Sequence, residues 1–285
     1  MNTFTENDIQ FMKSKCIEIR KEAIDMILTA EAGHPGASLS EVEILVALYY
    51  KVLNIRPEEP SWPERDRFVL SKGHGCPSLY AILADKGYYE KKHLKTLRRF
   101  GSILQGFPNM ITPGIDMASG SLGNGLSAGV GMAMAGRVDN KDYDVYVLLG
   151  DGELQEGLVW EAAMCAAHHK LDHLIAIVDY NGIQINGWVN EVMSIEPLAD
   201  KWTAFGWRVI ECDGHDIRSL LVALHKAKKM RAPSVILAHT VKGKGVSFME
   251  DNKYWHGTAP TEEEAKKAID EIMKGDHDIC TNQQD

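Results

Sequence analysis

The stretch LLGDGELQEG (residues 148–157) places one aspartate, Asp151, between two glycines directly after an apolar run. Apolar runs of strand length recur along the chain and are typical of strands that are covered on both faces. These runs are RFVLS (67–71), YVLLG (146–150), LIAIVDYN (174–181), WRVIECDG (207–214) and SVILAHT (234–240). Segments with helical spacing, such as 8–30, 157–170 and 216–230, lie between them. The alternation predicts an α/β fold with a parallel sheet flanked by helices on both faces, and ligands beyond the carboxyl ends of the strands.

Two further segments have the composition of buried helices. The segment EVEILVALYYKVL (41–53) predicts one helix with Ser40 as its cap. The segment SGSLGNGLSAGVGMAMAG (119–136) is rich in small residues, which would let a helix pack closely against the sheet. Its glycines miss the dinucleotide-binding spacing, no strand leads into it, and it has no Walker A lysine, so a Rossmann dehydrogenase is disfavoured.

Composition and charge exclude several classes of protein. The chain has 285 residues, of which 45% are hydrophobic, so it can bury a large core as one large domain or two small ones. A net charge of −9 argues against a nucleic-acid binder, because phosphate contacts need a basic face. The 5 cysteines include no C-x-x-C pair, which favours reduced thiols. There is no signal-peptide pattern and no membrane-spanning apolar run, so we expect a cytoplasmic protein without membrane contact.

Oxygen-bearing side chains follow two of the predicted strands. Asp151 follows one strand and Asn181 ends the next, one βαβ crossover later. Neighbouring parallel strands would put these side chains next to each other, and such oxygens suit Mg²⁺ or Ca²⁺ with phosphate oxygens completing the coordination. The alternative is that Asp151 and Gly152 only turn the chain and cap the next helix. We favour a metal-bridged diphosphate site.

Five stretches, in order, resemble motifs of the transketolase family. GDGELQEG followed by VDYNGIQING is similar to the thiamine diphosphate signature, and it implies metal ligands at Asp151, Asn181 and the carbonyl of Ile183. The other matching stretches are EAGHPGASLS (31–40), LSKGHGCPSLYA (70–81), TPGIDMASGSLGNGLSAGVGMA (112–133) and KYWHGTAP (253–260). The resemblance covers nearly the whole chain and implies thiamine diphosphate with Mg²⁺, Ca²⁺ or Mn²⁺ as cofactors.

The resemblance also assigns roles to other residues. It puts His34, His74 and His256 in the cofactor and substrate cleft as catalytic groups, with imidazole pKa values near their ordinary range. Each lies next to a glycine, although ordinary surface histidines remain an alternative. Further cofactor contacts would be backbone amides of glycines and two aliphatic side chains that flank the thiazolium ring, although generic core is an alternative for the aliphatic pair. These residues are Gly120, Gly152, Leu122 and Ile185.

Acidic and histidine-rich parts of the next predicted helix have two possible interpretations. The resemblance places Glu156 and Glu161 at a subunit interface in a carboxylate network that couples two cofactors, and we favour this role for Glu156. The simpler interpretation is that the helix dipole favours acids in the first turns. His168, His169 and His173 in AAHHKLDH suggest a metal site only weakly, because no glutamate completes H-E-x-x-H. We interpret them as solvated residues.

The parts of a transketolase that have no counterpart here shape the functional prediction. The chain would be a single diphosphate- and metal-binding domain over residues 1–285, with a frayed tail from about residue 275. A separate C-terminal subunit would supply the pyrimidine-binding domain and the catalytic glutamate, in an α2β2 assembly. We expect the N-terminal subunit of a split transketolase, inactive alone, that moves a two-carbon ketol unit from a ketose donor to an aldose in pentose phosphate metabolism.

One departure from the family pattern concerns the donor sugar. Transketolases usually read G-H-P where this chain has Gly106-Phe107-Pro108. Phe107 cannot hydrogen-bond the C1 hydroxyl of a donor. The alternatives are therefore a ketolase specialised for an unusual ketose, an enzyme resembling deoxyxylulose-phosphate synthase, and a subunit that binds the cofactor without catalysis.

Overall fold

The central element of the fold is a five-stranded parallel sheet. The computed structural model describes the backbone of residues 4–281 and the side chains of residues 4–275. The strands of this sheet are β1 (Arg67–Leu70), β2 (Val145–Gly150), β3 (Leu174–Tyr180), β6 (Arg208–Asp213) and β7 (Ser234–His239), and they lie in the order β1-β2-β3-β7-β6. A small antiparallel pair, β4 (Ile183–Gln184) and β5 (Gly187–Trp188), follows β3. Every strand predicted from an apolar run is confirmed.

Helices connect the strands and cover both faces of the sheet. They are α1 (Glu6–Ala30), α2 (Pro35–Ser40), α3 (Val42–Ala47), α4 (Cys76–Asp85), α5 (Asn124–Val138), α6 (Gly157–His168), α7 (Val189–Met193), α8 (Leu198–Ala204), α9 (Ile217–Lys229) and α10 (Glu262–Thr281). Side chains of β2 show how the two faces are filled: Tyr146 and Leu148 pack with α1, α3, α4 and α9, whereas Val145, Val147 and Leu149 pack with α5, α6 and α8. The predicted two-sided α/β architecture is therefore confirmed.

Helix α5 lies close to the sheet because of its small residues. A Cβ atom added to Gly129 would lie 2.5 Å from Cγ2 of Val147 on β2. A larger residue at this position would force the Val147 side chain or the helix to shift. The close packing predicted for the glycine-rich segment is thus observed.

The segment 41–53 does not form the single helix that the sequence predicted. Helix α2 ends at Ser40, α3 begins at Val42, and a π-helical turn (Leu48–Val52) follows. Ser40 does not cap a helix, because its hydroxyl donates to Oδ2 of buried Asp179 at 2.6 Å. The chain breaks its helix here and brings Ser40 and Glu41 under the carboxyl edge of the sheet.

The last helix packs against the first one. Ala265, Ala268 and Ile272 of α10 are buried with Ile17 and Ile24 of α1. Its backbone reaches Thr281, inside the segment predicted as a frayed tail, and residues 282–285 lie outside the described residues.

None of the described helices is both long and apolar enough to cross a bilayer. The free thiols among the described side chains are Cys16, Cys76, Cys165 and Cys212. The side chain of Cys280 lies outside the described residues.

Candidate active site

A cleft of about 370 Å³ opens at the carboxyl edge of β1, β2, β3 and β7. All the cofactor, metal and catalytic residues that the sequence analysis named line it: His34, His74, Gly120, Leu122, Asp151, Gly152, Glu156, Asn181, Ile183, Ile185 and His256. A larger cavity of about 460 Å³ shares Asn181 with the cleft but includes neither Asp151 nor these histidines. The grouping of ionisable side chains therefore points to the smaller cleft.

Asp151 connects the ends of two neighbouring strands. Gly150 of β2 pairs with Asp179 of β3, so the next residues of both strands emerge side by side. The Asp151 carboxylate accepts hydrogen bonds from the amides of Gly152, at 2.7 Å, and Gly182. Burial, with the nearby Asp179 carboxylate, raises the pKa of Asp151 to about 6. A cation bound nearby would stabilise the ionised form of this buried carboxylate and lower its pKa again.

Asn181 and Ile183 complete a set of oxygen atoms beside Asp151. The Asn181 amide is held from both ends: its Nδ2 donates to Asp179 at 3.2 Å, and its Oδ1 accepts from the Ile183 amide at 3.1 Å. The Ile183 carbonyl accepts from the Lys242 ammonium at 2.7 Å. Asp151 and Asn181 thus emerge side by side at the strand ends, as predicted. The alternative is observed in part, because Asp151 precedes a 3-10 helix (Gly152–Gln155) and its side chain accepts from the Gly152 amide, although a cap does not require the carboxylate to be 2% exposed.

A buried ion network under the cleft was missed by the sequence analysis. The Lys72 ammonium lies 3.0 Å from Oε2 of Glu41 and also contacts Asp179. Ser40 and Thr240 donate further hydrogen bonds to Asp179. Burial raises the pKa of Glu41 to about 7, against the opposing effect of Lys72. This network fixes Asp179, which in turn orients Asn181.

Glu153 connects the glycine-rich segment to the strand ends. It is 2% exposed and accepts hydrogen bonds from the amides of Gly123, at 2.8 Å, and Gly150, at 3.0 Å, and from the Ser71 hydroxyl. Glu153 therefore fixes the ends of β1 and β2 relative to the start of α5. Its role was not apparent from the sequence, although Glu153 lies inside the GDGELQEG stretch.

Three histidines from distant parts of the sequence meet in the cleft. The ring centroid of His34 lies 5.2 Å from that of His74 and 5.5 Å from that of His256, and the last two are 5.2 Å apart. Buried Nδ1 atoms of His34 and His256 have no hydrogen-bond partner among the described residues. The interpretation of these residues as ordinary surface histidines is therefore wrong.

The expected pKa values of these histidines need correction. Burial, followed by the charges of Arg98 and Lys242, lowers the pKa of His34 to about 4. Burial and Lys242 lower that of His256 to about 3, and burial with Lys72 lowers that of His74 well below its ordinary value. All three imidazoles are therefore neutral at neutral pH, so they can accept a proton but hold none to donate as imidazolium.

Apolar side chains at the cleft are exposed, not part of the core. Leu122 is 36% exposed and Ile185 is 67% exposed. Phe107 is 40% exposed, and its ring centroid lies 6.4 Å from that of His34. The interpretation of Leu122 and Ile185 as generic core is wrong, and Phe107 gives the cleft an apolar wall beside His34.

The two glutamates of the following helix differ in position. Glu156 precedes α6 directly and lines the cleft. Glu161 lies on the exposed side of α6 and is not among the residues lining the cleft. The structure therefore brings Glu156, but not Glu161, to the site.

The histidine-rich segment at the end of α6 holds no metal site. The helix ends at His168, so His169 and His173 do not share a helical face. His173 contacts Asp144 at 2.8 Å. Within residues 4–275, no group of three His, Cys, Asp or Glu side chains could hold a metal ion. The interpretation as solvated residues agrees for His168 and His169.

Lysines follow the other two strands that reach the cleft. Lys72 follows β1 and Lys242 follows β7, and both are 2% exposed or less. Burial lowers the pKa of Lys242 to about 8, although Asp151 opposes this effect. The rule that identified Asp151 and Asn181, that polar residues after parallel strands meet at one edge, would have found both lysines.

The donor set suits a metal-bridged diphosphate. One carboxylate, one amide oxygen and one backbone carbonyl line the same cleft, from Asp151, Asn181 and Ile183. A divalent cation held by these three groups would keep coordination positions for phosphate oxygens. The Lys242 ammonium adds a positive charge beside the Ile183 carbonyl, and the Gly152 amide donates to Asp151 in this structure. The Nδ1 atoms of His34 and His256, which have no partner among the described residues, could form hydrogen bonds with a bound cofactor or substrate.

Comparison with known proteins gives consistent matches. The family model described as transketolase, thiamine diphosphate binding domain, matches residues 12–275. The chain is 50% identical over 258 residues to the 6-deoxy-6-sulfo-D-fructose transketolase subunit SqwG of Clostridium sp. (strain MSTE9), covering 90% of this chain and 94% of that protein. It is 45% identical over 256 residues to one of the subunits of the apulose-4-phosphate transketolase of Phocaeicola vulgatus, covering 90% and 91%.

A solved structure supports the same relationship. The crystal structure of transketolase from Campylobacter jejuni superimposes with a TM-score of 0.88 at 36% identity. The match covers 95% of this chain but 43% of that one. The chain thus has the length of the two bacterial subunits and less than half the length of a one-chain transketolase.

Proposed function

The chain belongs to the transketolase family as its thiamine diphosphate-binding domain, and on this premise we propose that it is the N-terminal subunit of a two-chain transketolase. Such an enzyme transfers a two-carbon ketol unit from a ketose to an aldose. The observation that supports this best is the joint presence in one cleft of Asp151, Asn181 and three histidines from distant parts of the sequence.

The need for a second chain follows from the relatives. The two bacterial relatives that match over nearly their full length are each named as one subunit of a transketolase. We propose that a separate C-terminal subunit supplies the pyrimidine-binding domain and the catalytic glutamate, in an α2β2 assembly. The whole of residues 1–285 would then be one diphosphate-binding domain. The free thiols favour the cytoplasm as its location.

The metal ion, which would be Mg²⁺, Ca²⁺ or Mn²⁺, would be held by Asp151, Asn181 and the Ile183 carbonyl. Lys242 and the Gly120 and Gly152 amides would bind the diphosphate, while Leu122 and Ile185 would contact the thiazolium ring. Thiamine diphosphate, when bound, supplies the nucleophilic carbon that breaks and forms the carbon–carbon bond of the sugars. Glu156 would face a second copy of the site across the subunit interface.

The histidines would move the protons of sugar hydroxyls. Their lowered pKa values leave them neutral, which is the form that accepts a proton from a hydroxyl group. His34 would contact the donor carbonyl end, and His74 and His256 would lie between the diphosphate and the reacting centre. A negative charge that develops on the substrate would favour the protonated imidazoles.

The nature of the donor sugar is the specific part of the proposal. Phe107 offers an apolar ring next to His34, where a hydrogen-bonding group would suit the C1 hydroxyl of a common pentose phosphate donor. The names of the two bacterial relatives give 6-deoxy-6-sulfo-D-fructose and apulose 4-phosphate as their sugars. We propose a ketose donor outside the common pentose phosphates for this chain.

Reconstitution tests the proposed function. The chain is combined with a purified C-terminal transketolase subunit, and ketol transfer is measured with a panel of ketose donors and aldose acceptors. We expect activity from the pair with thiamine diphosphate and Mg²⁺, and none from either chain alone. Activity of this chain alone would refute the two-chain proposal, and a pair that binds cofactor without any transfer would favour a non-catalytic subunit.

A further inference from the structure

The loop after β7, residues 240–246, carries Lys242 into the cleft. The Lys242 side chain is 2% exposed, and its ammonium donates to the Ile183 carbonyl at 2.7 Å. Its Cγ lies 3.1 Å from the position of a Cβ on Gly36, so the stem is packed tightly. Where the ammonium lies therefore depends on the backbone of this loop.

Two side chains from other elements bind the loop backbone on either side of Lys242. Nε2 of His215 accepts a hydrogen bond from the Val241 amide at 2.7 Å. Nε of Arg20 donates to the Lys244 carbonyl at 3.0 Å. The residue before Lys242 and the second residue after it are thus both anchored to side chains outside the loop.

These two anchors meet at one carboxylate. Oε2 of Glu43 lies 3.0 Å from Nδ1 of His215 and 2.7 Å from Nη2 of Arg20. Burial would raise the pKa of Glu43, but the Arg20 charge and the His215 hydrogen bond outweigh it and hold the pKa at about 2. Because Nε2 of His215 accepts from an amide, Nδ1 carries the ring hydrogen and donates it to Glu43.

We propose that His215 is a positioning residue that, with Glu43 and Arg20, fixes the loop so that Lys242 faces the cofactor diphosphate. None of the three lines the cleft, so they act only through the loop backbone. The inference rests on the proposed function in taking the diphosphate as the partner of Lys242. The three residues would support the loop from outside the cleft.

Two substitutions of His215 separate its two hydrogen bonds. In His215→Asn the side-chain amide can replace Nδ1 and still donate to Glu43, but nothing accepts from the Val241 amide. In His215→Gln the side-chain oxygen can reach the position of Nε2 and accept from Val241. His239→Asn is the matched control, because exposed His239 hydrogen-bonds Glu211 and does not line the cleft.

The first measurement is the affinity of the reconstituted two-chain enzyme for thiamine diphosphate with Mg²⁺ present. We expect about tenfold weaker binding for His215→Asn, as for a partly buried amide that loses its partner. His215→Gln should stay within about threefold of the wild type, and His239→Asn should be unchanged. Turnover at saturating cofactor should fall less than the affinity does.

The second measurement is hydrogen exchange of residues 240–246 in this chain without cofactor. We expect faster exchange in this peptide for His215→Asn and wild-type protection for His215→Gln and His239→Asn. Should His215→Asn not fold, Arg20→Lys keeps a charge beside Glu43 but loses the bond to the Lys244 carbonyl. It should also speed exchange of the peptide and weaken cofactor binding by about threefold.

Two results would overturn the proposal. One is wild-type affinity and protection in His215→Asn, or in Arg20→Lys when that variant stands in for it. The other is an equal loss in His215→Asn and His215→Gln, because the bond to Val241 would then not be the cause. Failure of the proposed function gives a different pattern, in which the wild-type pair binds cofactor without ketol transfer while the exchange results are unaffected.

Discussion

Replacement of Lys72 by methionine tests the buried network under the cleft. The Lys72 side chain is 2% exposed and contacts two carboxylates, Glu41 and Asp179, whose side chains are 0% exposed. Methionine keeps most of the volume and removes the only ammonium group that the described residues place within 4.0 Å of these carboxylates. Removal of one partner from a buried ion pair costs about 3–5 kcal/mol. For a chain of this size, that corresponds to a decrease in Tm of about 5–8 °C.

The loss should depend on pH in a defined direction. The pKa of Lys72 is raised, so the lysine stays charged throughout the neutral range. The pKa of Glu41 is raised from 4.5 to about 7, so its contribution to stability is full below pH 4.5 and is lost as the pH rises through about 7. Without Lys72 this pKa rises further, because the opposing charge is gone. The difference in Tm between wild type and Lys72→Met should therefore be larger at about pH 8.5 than at about pH 6.

Differential scanning calorimetry of the full chain at both pH values measures this effect. Lys92→Met is the matched control, because Lys92 is an exposed lysine whose pair with exposed Glu90 should contribute little to stability. The double variant Lys72→Met/Glu41→Gln should recover part of the loss at high pH, since one unpaired charge is removed. A loss no larger than that of Lys92→Met, or an equal loss at both pH values, would refute the reasoning.

Three further predictions address the metal, the donor and the packing of α5. Asp151→Ala should abolish metal-dependent binding of thiamine diphosphate by the assembled enzyme in calorimetry, and unaltered affinity would remove Asp151 from the metal site. Phe107→His should increase kcat/KM for xylulose 5-phosphate by about tenfold through one new hydrogen bond, and no change across several donors would count against an altered donor end. Gly129→Ala should lower the free energy of unfolding by about 1–3 kcal/mol, because its Cβ would lie 2.5 Å from Val147. Gly131→Ala on the same helix has nothing within 4 Å and should raise it by about 0.5–1 kcal/mol; equal effects in urea unfolding would contradict the packing argument.

The strands were predictable because their signal is local. The central parts of three strands, residues 68–70, 146–149 and 174–178, are apolar throughout, as expected for strands that are buried on both faces. Once these strands are parallel neighbours, Asp151 and Asn181 must emerge at one edge, so this half of the site follows from the sequence.

The rest of the site depends on contacts between distant segments. Nothing near Ser40 in the sequence indicates that its hydroxyl meets Asp179, so the break between α2 and α3 was missed. The low pKa values of His34 and His256 result from burial and from Lys242, which a reading of local context cannot show. Lys72 and Lys242 were missed for another reason, since the strand-end rule was applied to only two of the strands that reach the cleft.

The placement of the site at one edge of the sheet leaves the opposite edge free for engineering. The turn between α5 and β2 lies at the amino ends of the strands, and Asp139, Asn140 and Asp142 in it are exposed. An affinity tag or a fluorescent protein inserted there would emerge far from every residue that lines the cleft. Pull-down or energy-transfer measurements of how the two chains associate could then use this chain with both of its termini unmodified.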